Sequence, residues 1–216
     1  MPDSLKKASG DYVVAILEPD PAKAREVVRA AVREGASVAA AFEELLAPAM
    51  VEIGRRWESG EISVAHEHLA TEVTSSLVTE LSALLEPGPA TGRLAIVSCS
   101  PEEQHCLAGQ MLSALLEAAG WEVLYLGTTL PMEDLVALAA DEAADVIALS
   151  TALPHHLPAV EAAVRAVQAL EEPPLVLVGG RAYGGEDDAR RVGADAWAAR
   201  VAEAPALLGR RLPPAA

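Results

Sequence analysis

Residues 94–109 read LAIVSCSPEEQHCLAG, and this stretch decides the fold. Its first part, Leu94–Val97, is a short apolar run typical of a buried strand. An amphipathic helical stretch centred near Leu112 follows, and His105 lies between the two. In α/β domains, ligands bind at the carboxyl ends of the strands. The stretch therefore predicts an α/β domain with a candidate metal ligand at the edge of its sheet.

The same alternation of strand and helix continues to the end of the chain. Further helical stretches are centred near Val136, Val164 and Arg190. Strands that alternate with helices indicate a parallel sheet covered on both faces. We therefore expect a doubly wound, flavodoxin-like (Rossmann-like) sheet of five parallel strands with its ligand at the carboxyl edge. The other predicted strands are Glu122–Leu126, Val146–Leu149, Leu175–Val178 and Ala194–Trp197.

The first part of the chain has helical periodicity instead. Helices are predicted from about Ala22 to Gly35 and from Val38 to Glu58, with a kink or break at Pro48. Ser63 is a candidate N-cap for the next helix, and a short first helix is expected over Tyr12–Leu17. The chain is thus predicted to be α/β with an all-α cap. Its predicted domains are a four-helix bundle over residues 1–88, a Pro- and Gly-rich linker, and the sheet domain over residues 93–216.

Composition and charge exclude several classes of function. The net charge of −16 argues against direct binding of DNA or RNA, because phosphate contacts need Lys and Arg. No apolar run approaches the ~20 residues of a membrane span, and no signal-peptide pattern opens the chain. We expect a soluble cytoplasmic protein without a membrane or nucleic-acid partner. A regulatory role in transcription would have to act through another protein.

Polar residues and glycines follow three of the predicted strands. Glu103 is two residues before His105, so its carboxylate can accept the second ring N–H of the histidine and strengthen metal binding through the other nitrogen. Paired glycines permit close approach of a ligand to the backbone. The remaining candidates at this edge are Ser150, Thr151, Gly179 and Gly180.

Two other interpretations of the histidines and cysteines stay open. A zinc site would have to combine residues that lack the usual paired spacing, namely Cys99, His105, Cys106, His155 and His156. A redox role for the two cysteines lacks a Cys-x-x-Cys motif.

The motifs at the sheet edge resemble the cobalamin (vitamin B12)-binding domain of corrinoid proteins. That family carries Asp-x-His-x-x-Gly, then Ser-x-Leu, then Gly-Gly. Here Glu103-Gln104-His105, Ser150 and Gly179-Gly180 match these motifs, with Glu in place of Asp. Ala108 and Ala152 depart from the family's Gly and Leu. The resemblance implies that His105 replaces the nucleotide tail as the lower ligand of cobalt.

The helical part resembles the light-sensing cobalamin-dependent repressors. In those sensors a Trp and a Glu-His pair surround the adenosyl group above cobalt, which implies this role for Trp57, Glu67 and His68. The alternative is that Trp57 belongs to the core and Glu67 caps its helix. The family's second cobalt-binding His, directly after the Trp, is Glu58 here, although His66 or His68 can substitute.

The resemblance therefore implies a stand-alone cobalamin-binding photoreceptor and not an enzyme, with no catalytic residue. Light would break the bond between cobalt and its upper ligand, and the bundle would then change an interface with a protein partner or a second copy. Adenosylcobalamin is expected, with methylcobalamin or hydroxocobalamin as alternatives. A bilin as second chromophore, as in photocobilins, stays open. The rival hypothesis is a corrinoid protein that shuttles a methyl group between methyltransferases, and a third is a corrinoid sensor or chaperone without photochemistry.

Overall fold

A computed structural model describes residues 2–215 of the chain. The chain divides into two compact units, with the boundary between Leu85 and Glu86. Over the described range, no helix is both long and apolar enough to cross a bilayer.

The first unit is helical throughout. Helix α1 spans Pro2–Leu17, which makes the predicted segment of Tyr12–Leu17 too short. Polar residues near its middle obscure the pattern in the sequence, but its buried residues do follow helical spacing. The other elements are α2 (Pro21–Arg33), α3 (Val38–Ala40), a π-helical stretch (Ala41–Leu46), α4 (Ala47–Glu58) and α5 (Val64–Ser82).

A buried polar pair lies within the apolar core of this unit. The hydroxyl groups of Tyr12 and Thr74 are 2.8 Å apart, and Thr74 donates to the sulfur of Met50. Burial raises the pKa of Tyr12 to about 12, so the phenol stays protonated. These hydrogen bonds join α1, α4 and α5, and the one between Tyr12 and Thr74 is buried. The surrounding fully buried side chains include Ile16, Phe42, Leu45, Leu46, Ile53 and Leu77.

The helix does not break at Pro48. Instead, the wider π-helical turns of Ala41–Leu46 come just before it, and α4 follows without an interruption. A proline lacks the N–H that a regular helix needs and clashes with the carbonyl four residues earlier. We attribute the π-helical stretch to this conflict, since such bulges relieve it without ending the helix.

The second unit is a five-stranded parallel sheet with strand order β2-β1-β3-β4-β5. This order confirms the predicted doubly wound, flavodoxin-like fold. The elements are β1 (Leu94–Cys99), α6 (Leu107–Ala118), β2 (Glu122–Gly127), α7 (Met132–Asp141), β3 (Val146–Ser150), a 3₁₀ turn (Pro154–His156), α8 (Leu157–Gln168), β4 (Leu175–Gly179), α9 (Glu186–Arg191), β5 (Ala196–Ala198), a 3₁₀ turn (Val201–Glu203) and α10 (Ala204–Arg211).

Both faces of the sheet are buried, because alternate residues of each strand join different apolar clusters. Ile96 and Ile147 belong to one cluster, while Val97 and Ala148 belong to the other. The predicted strand positions are correct, but the first four strands extend one or two residues further at their carboxyl ends. The last strand starts later than predicted because the N–H of Ala194 still bonds to the end of α9.

Candidate functional site

Three loops leave the sheet side by side at its carboxyl edge. Cys99, Ser150 and Gly179 end β1, β3 and β4, and they are register partners across the three adjacent strands. The chain runs from β1 outward to β2 and returns to β3 on the other side, so the order of strands reverses between β1 and β3. Such a reversal opens a crevice for ligands at the carboxyl edge.

Glu103 is the centre of the hydrogen bonds at this edge. Its side chain is completely buried, and it lies in the loop between β1 and α6. One carboxylate oxygen, Oε1, accepts from the backbone N–H groups of Gln104 (2.9 Å) and His105 (3.0 Å). The other, Oε2, accepts from the backbone N–H groups of Ala152 (2.7 Å) and Leu153 (3.2 Å). One acidic side chain thus connects the loop after β1 with the loop after β3.

The hydrogen bonds keep Glu103 ionised in spite of its burial. Burial by itself would raise the pKa of the carboxyl group. The backbone and ring of His105 and the backbone of Ala152 oppose that effect and lower the pKa to about 2. The site therefore contains a fixed negative charge at neutral pH.

His105 is held by its ring and by its backbone. Its Nδ1 lies 2.5 Å from Oε1 of Glu103, and its side chain is 53% exposed. Because the carboxylate is ionised and can only accept, Nδ1 is the donor, and Nε2 is the ring nitrogen available to a metal. The thiol of Cys99 donates to the carbonyl of His105, and the hydroxyl of Tyr125 donates to the carbonyl of Cys106. The structure thus places Glu103 and His105 in the contact that the sequence predicts.

A second histidine reaches the same carboxylate. Nδ1 of His156 lies 3.2 Å from Oε2 of Glu103, and the side chain is only 7% exposed. Sequence reasoning missed this contact and considered His156 only for a zinc site. The one available signal was its position shortly after β3, and nothing in the sequence distinguished it from the exposed His155.

The loops after β3 and β4 pack closely on each other. A Cβ atom at Gly180 would lie 2.2 Å from the carbonyl oxygen of Thr151, and the φ angle of Gly180 is +106°. This contact explains why glycine is needed there.

Thr151 is fully buried in this unit, and its hydroxyl is 3.4 Å from that of Tyr183. Ser150 is buried as well, and its carbonyl accepts from Ser100. Contacts with a cofactor stay predictions for the four candidates at this edge, which are Ser150, Thr151, Gly179 and Gly180.

The two departures from the family motif have local explanations. At residue 152 the backbone N–H, and not the side chain, contacts Glu103, so Ala152 keeps this interaction. Near Ala108, it is Gly109 that is buried, and a Cβ atom at Gly109 would lie 3.1 Å from the Tyr125 ring. The glycine of α6 that contacts Tyr125 is thus Gly109. It lies one position after Ala108, where the family motif has its glycine.

The zinc and redox alternatives receive no support from the part of the chain that the structure describes. Within residues 2–215, no three or more His, Cys, Asp and Glu side chains form a cluster suited to a metal ion. Burial raises the pKa of Cys99 to about 12, with smaller contributions from Cys106 and Glu103, so its thiol stays protonated. A protonated thiol is a poor nucleophile and a poor zinc ligand.

In the helical unit, Trp57 does not have the core role that was the alternative to cofactor binding, whereas Glu67 is an acidic residue in the first turn of its helix, where it favours the helix N-terminus. Trp57 is 49% exposed near the end of α4, so it is not a core residue. Glu67, in the first turn of α5, accepts from Nδ1 of His68 (2.7 Å) and from the hydroxyl of Thr71 (2.9 Å), with no side-chain contact to the helix N-terminus. His68 is exposed. Their predicted contacts with an adenosyl group stay untested.

The turn between α4 and α5 brings Trp57 and the Glu67-His68 pair to the same end of these two helices. Ser63 occupies the N-cap position of α5, but its hydroxyl bonds to Nδ1 of His66 (2.9 Å) instead of a backbone N–H. The predicted N-cap position is therefore correct, but the hydroxyl group of Ser63 does not cap the backbone. Glu58, which stands where the sensor family has a histidine, is exposed at the end of α4.

The fold and the Glu103–His105 contact are those expected of a corrinoid-binding protein, and comparison with known families shows this class. A B12 binding domain model matches residues 93–207, and a second model with the same description matches residues 10–82. The chain belongs to this B12 binding domain family. It is therefore a cobalamin-binding protein.

Two kinds of relatives match the sequence. The HTH-type transcriptional repressor CarH of Myxococcus xanthus is 36% identical over 51% of this chain, and the match covers only 36% of the repressor. Dimethylamine corrinoid protein 2 of Methanosarcina acetivorans is 28% identical over 96% of this chain and 94% of its own length.

Solved structures confirm the fold. The monomethylamine corrinoid protein of Methanosarcina barkeri superposes with a TM-score of 0.78, with 20% identity, over 93% of this chain and 96% of that protein. A cobalamin-binding protein of Desulfitobacterium hafniense DCB-2 gives 0.52, with 24% identity, over 94% of this chain and 97% of its own.

Proposed function

We propose that this chain is a corrinoid protein that holds cobalamin through Nε2 of His105 and carries a methyl group between partner proteins. The observation that carries the cobalamin site is the buried, ionised Glu103 on Nδ1 of the half-exposed His105. The near full-length match to a dimethylamine corrinoid protein supports the carrier function, since it extends over both units. This proposal prefers the methyl-shuttling corrinoid protein, which was the rival hypothesis from the sequence, to the photoreceptor.

The residues of the site fit a corrinoid. Bound cobalamin would supply a cobalt centre that can take up and release a methyl group. Glu103 accepts a hydrogen bond from Nδ1 of His105, which leaves Nε2 as the ring nitrogen that can bind the metal. The hydrogen bonds to the backbone carbonyls of His105 and Cys106 fix the loop that carries the ligand. Gly179 and Gly180 leave the loop after β4 without side chains at this edge.

The first prediction concerns which cobalamin the protein prefers. Purified protein incubated in the dark with methylcobalamin should retain it through gel filtration, with the spectrum of a histidine-ligated corrinoid. Adenosylcobalamin should bind no more tightly, and green light should leave the elution volume unchanged. A protein that binds adenosylcobalamin more tightly and changes its elution volume on illumination contradicts the carrier proposal. Failure to retain any cobalamin contradicts the site.

A light-sensing protein is the second candidate, and a specific observation favours it. Trp57 is a large aromatic side chain left half-exposed, and it shares an end of α4 and α5 with the Glu67-His68 pair. An indole can stack on an adenine ring, and a carboxylate and an imidazole can bind ribose hydroxyls. Similarity to CarH over half of this chain is consistent with this candidate. A bilin would be a separate, non-covalent ligand, since neither cysteine lies in the helical unit.

Replacement of Trp57 by alanine tests the second candidate. If this side chain stacks on an adenosyl group, Trp57→Ala should weaken adenosylcobalamin binding about tenfold and leave methylcobalamin binding unchanged. Val14→Ala removes another exposed apolar side chain, on α1, and serves as the control. Equal affinities of the Trp57 variant and the wild type for adenosylcobalamin would exclude this role of the indole.

A further inference from the structure

We propose that His156 is a positioning residue that fixes the Glu103 carboxylate and, through it, the tautomer and orientation of His105. This inference rests on the proposed cobalamin site, which it extends by one residue from a distant loop. His156 does not touch the ligand histidine. It contacts the opposite oxygen of the same carboxylate, at 3.2 Å.

The two oxygens of the Glu103 carboxylate accept from donors in different parts of the chain. On the Oε1 side, the three donors come from residues 104 and 105, which neighbour Glu103 in the same loop. On the Oε2 side, the three donors are the backbone N–H groups of Ala152 and Leu153 and the ring of His156. The local donors move together with Glu103. The distant donors are therefore the ones that fix the carboxylate relative to the sheet.

Among the distant donors, His156 provides the only side chain in the contacts that the structure describes. It is buried where the 3₁₀ turn after β3 meets α8, so its ring has few alternative positions. Nδ1 of His156 must carry a proton, because an unprotonated nitrogen would repel the ionised carboxylate at this distance. Rotation of Glu103 away from His105 would leave this buried N–H without a partner, which is costly.

Loss of this donor should loosen the contact between Glu103 and His105. In metal sites, removal of an outer partner of a ligating histidine lowers metal affinity ~10–100-fold. His156→Leu should therefore lower cobalamin affinity about tenfold and reduce the fraction of His105 that carries its proton on Nδ1. His156→Asn should restore both properties in part, because its amide N–H lies close to the position of Nδ1.

The experiment uses the full-length chain labelled with ¹⁵N-histidine. The tautomer of His105 is measured by NMR without cofactor, and cobalamin affinity is measured by titration. Glu172→Gln, which changes an exposed side chain in the segment before β4, is the control and should match the wild type. If the leucine variant does not fold, His156→Gln carries the same test, because its amide is displaced by one bond. A folded variant with the wild-type tautomer fraction overturns the inference. A changed tautomer in a protein that binds no cobalamin supports the role of His156 and contradicts the proposed function alone.

Discussion

Replacement of Glu103 by glutamine is expected to lower the free energy of unfolding by about 3 kcal/mol or more at pH 7. An amide cannot accept on both sides, so its NH₂ group would face three of the N–H donors that now surround the carboxylate. The side chain is fully buried, so water cannot replace the lost acceptors. Urea denaturation at pH 7 measures the effect. Glu102→Gln, which changes the exposed acid just before it, is the control and should be close to neutral.

The same residue predicts a dependence of stability on pH. The pKa of Glu103 is lowered from 4.5 to about 2 in the folded protein. A lowered pKa stabilises the folded state above the unfolded value, and this contribution is lost as the pH falls from about 4.5 to about 2. Its size is about 3 kcal/mol. The wild type should lose this part of its stability in acid, while Glu103→Gln should not. Parallel loss in both proteins would show that Glu103 is not the group responsible.

The second large effect is expected from His105→Ala, on cofactor binding. Removal of the proposed cobalt ligand should weaken cobalamin binding by more than the ~10–100-fold that loss of an outer partner causes. Any cobalamin that remains bound should show the spectrum of a corrinoid without a lower nitrogen ligand. Stability should fall by less than in Glu103→Gln, because only the ring hydrogen bond is lost and the backbone N–H of residue 105 still reaches Glu103.

Gln104→Ala is the matched control for this variant, since it truncates an exposed side chain in the same loop and keeps the backbone N–H that reaches Glu103. It should bind cobalamin like the wild type. An unchanged spectrum and affinity in His105→Ala would remove His105 as the ligand, and the proposed function would then lose its main support.

The fold of the second unit was largely predictable because each strand is a separate apolar run. Burial on both faces produces such runs directly, as in Val146–Leu149. The first helix was harder to predict, because polar and glycine residues near its middle interrupt the apolar face between Leu5 and Tyr12. The π-helical stretch depends on how the chain before Pro48 adapts to a missing donor, and periodicity carries no sign of it.

The site was predictable where it depends on local spacing and not where it depends on distant contacts. Glu103 and His105 are two residues apart, so their pairing follows from the geometry of one loop. The contact between Glu103 and His156 joins residues that are 53 positions apart. It exists only because β1 and β3 are neighbours, and nothing in the sequence shows which of the two adjacent histidines turns inward.

The shared carboxylate also constrains how this protein can change in evolution. Because Glu103 is held from two loops at once, an insertion or deletion in either loop would misplace donors that belong to the other. We therefore expect the lengths of the segments after β1 and β3 to be conserved together. The segment that follows β2 provides none of the hydrogen bonds to Glu103 described above, so diversification among related chains should concentrate there.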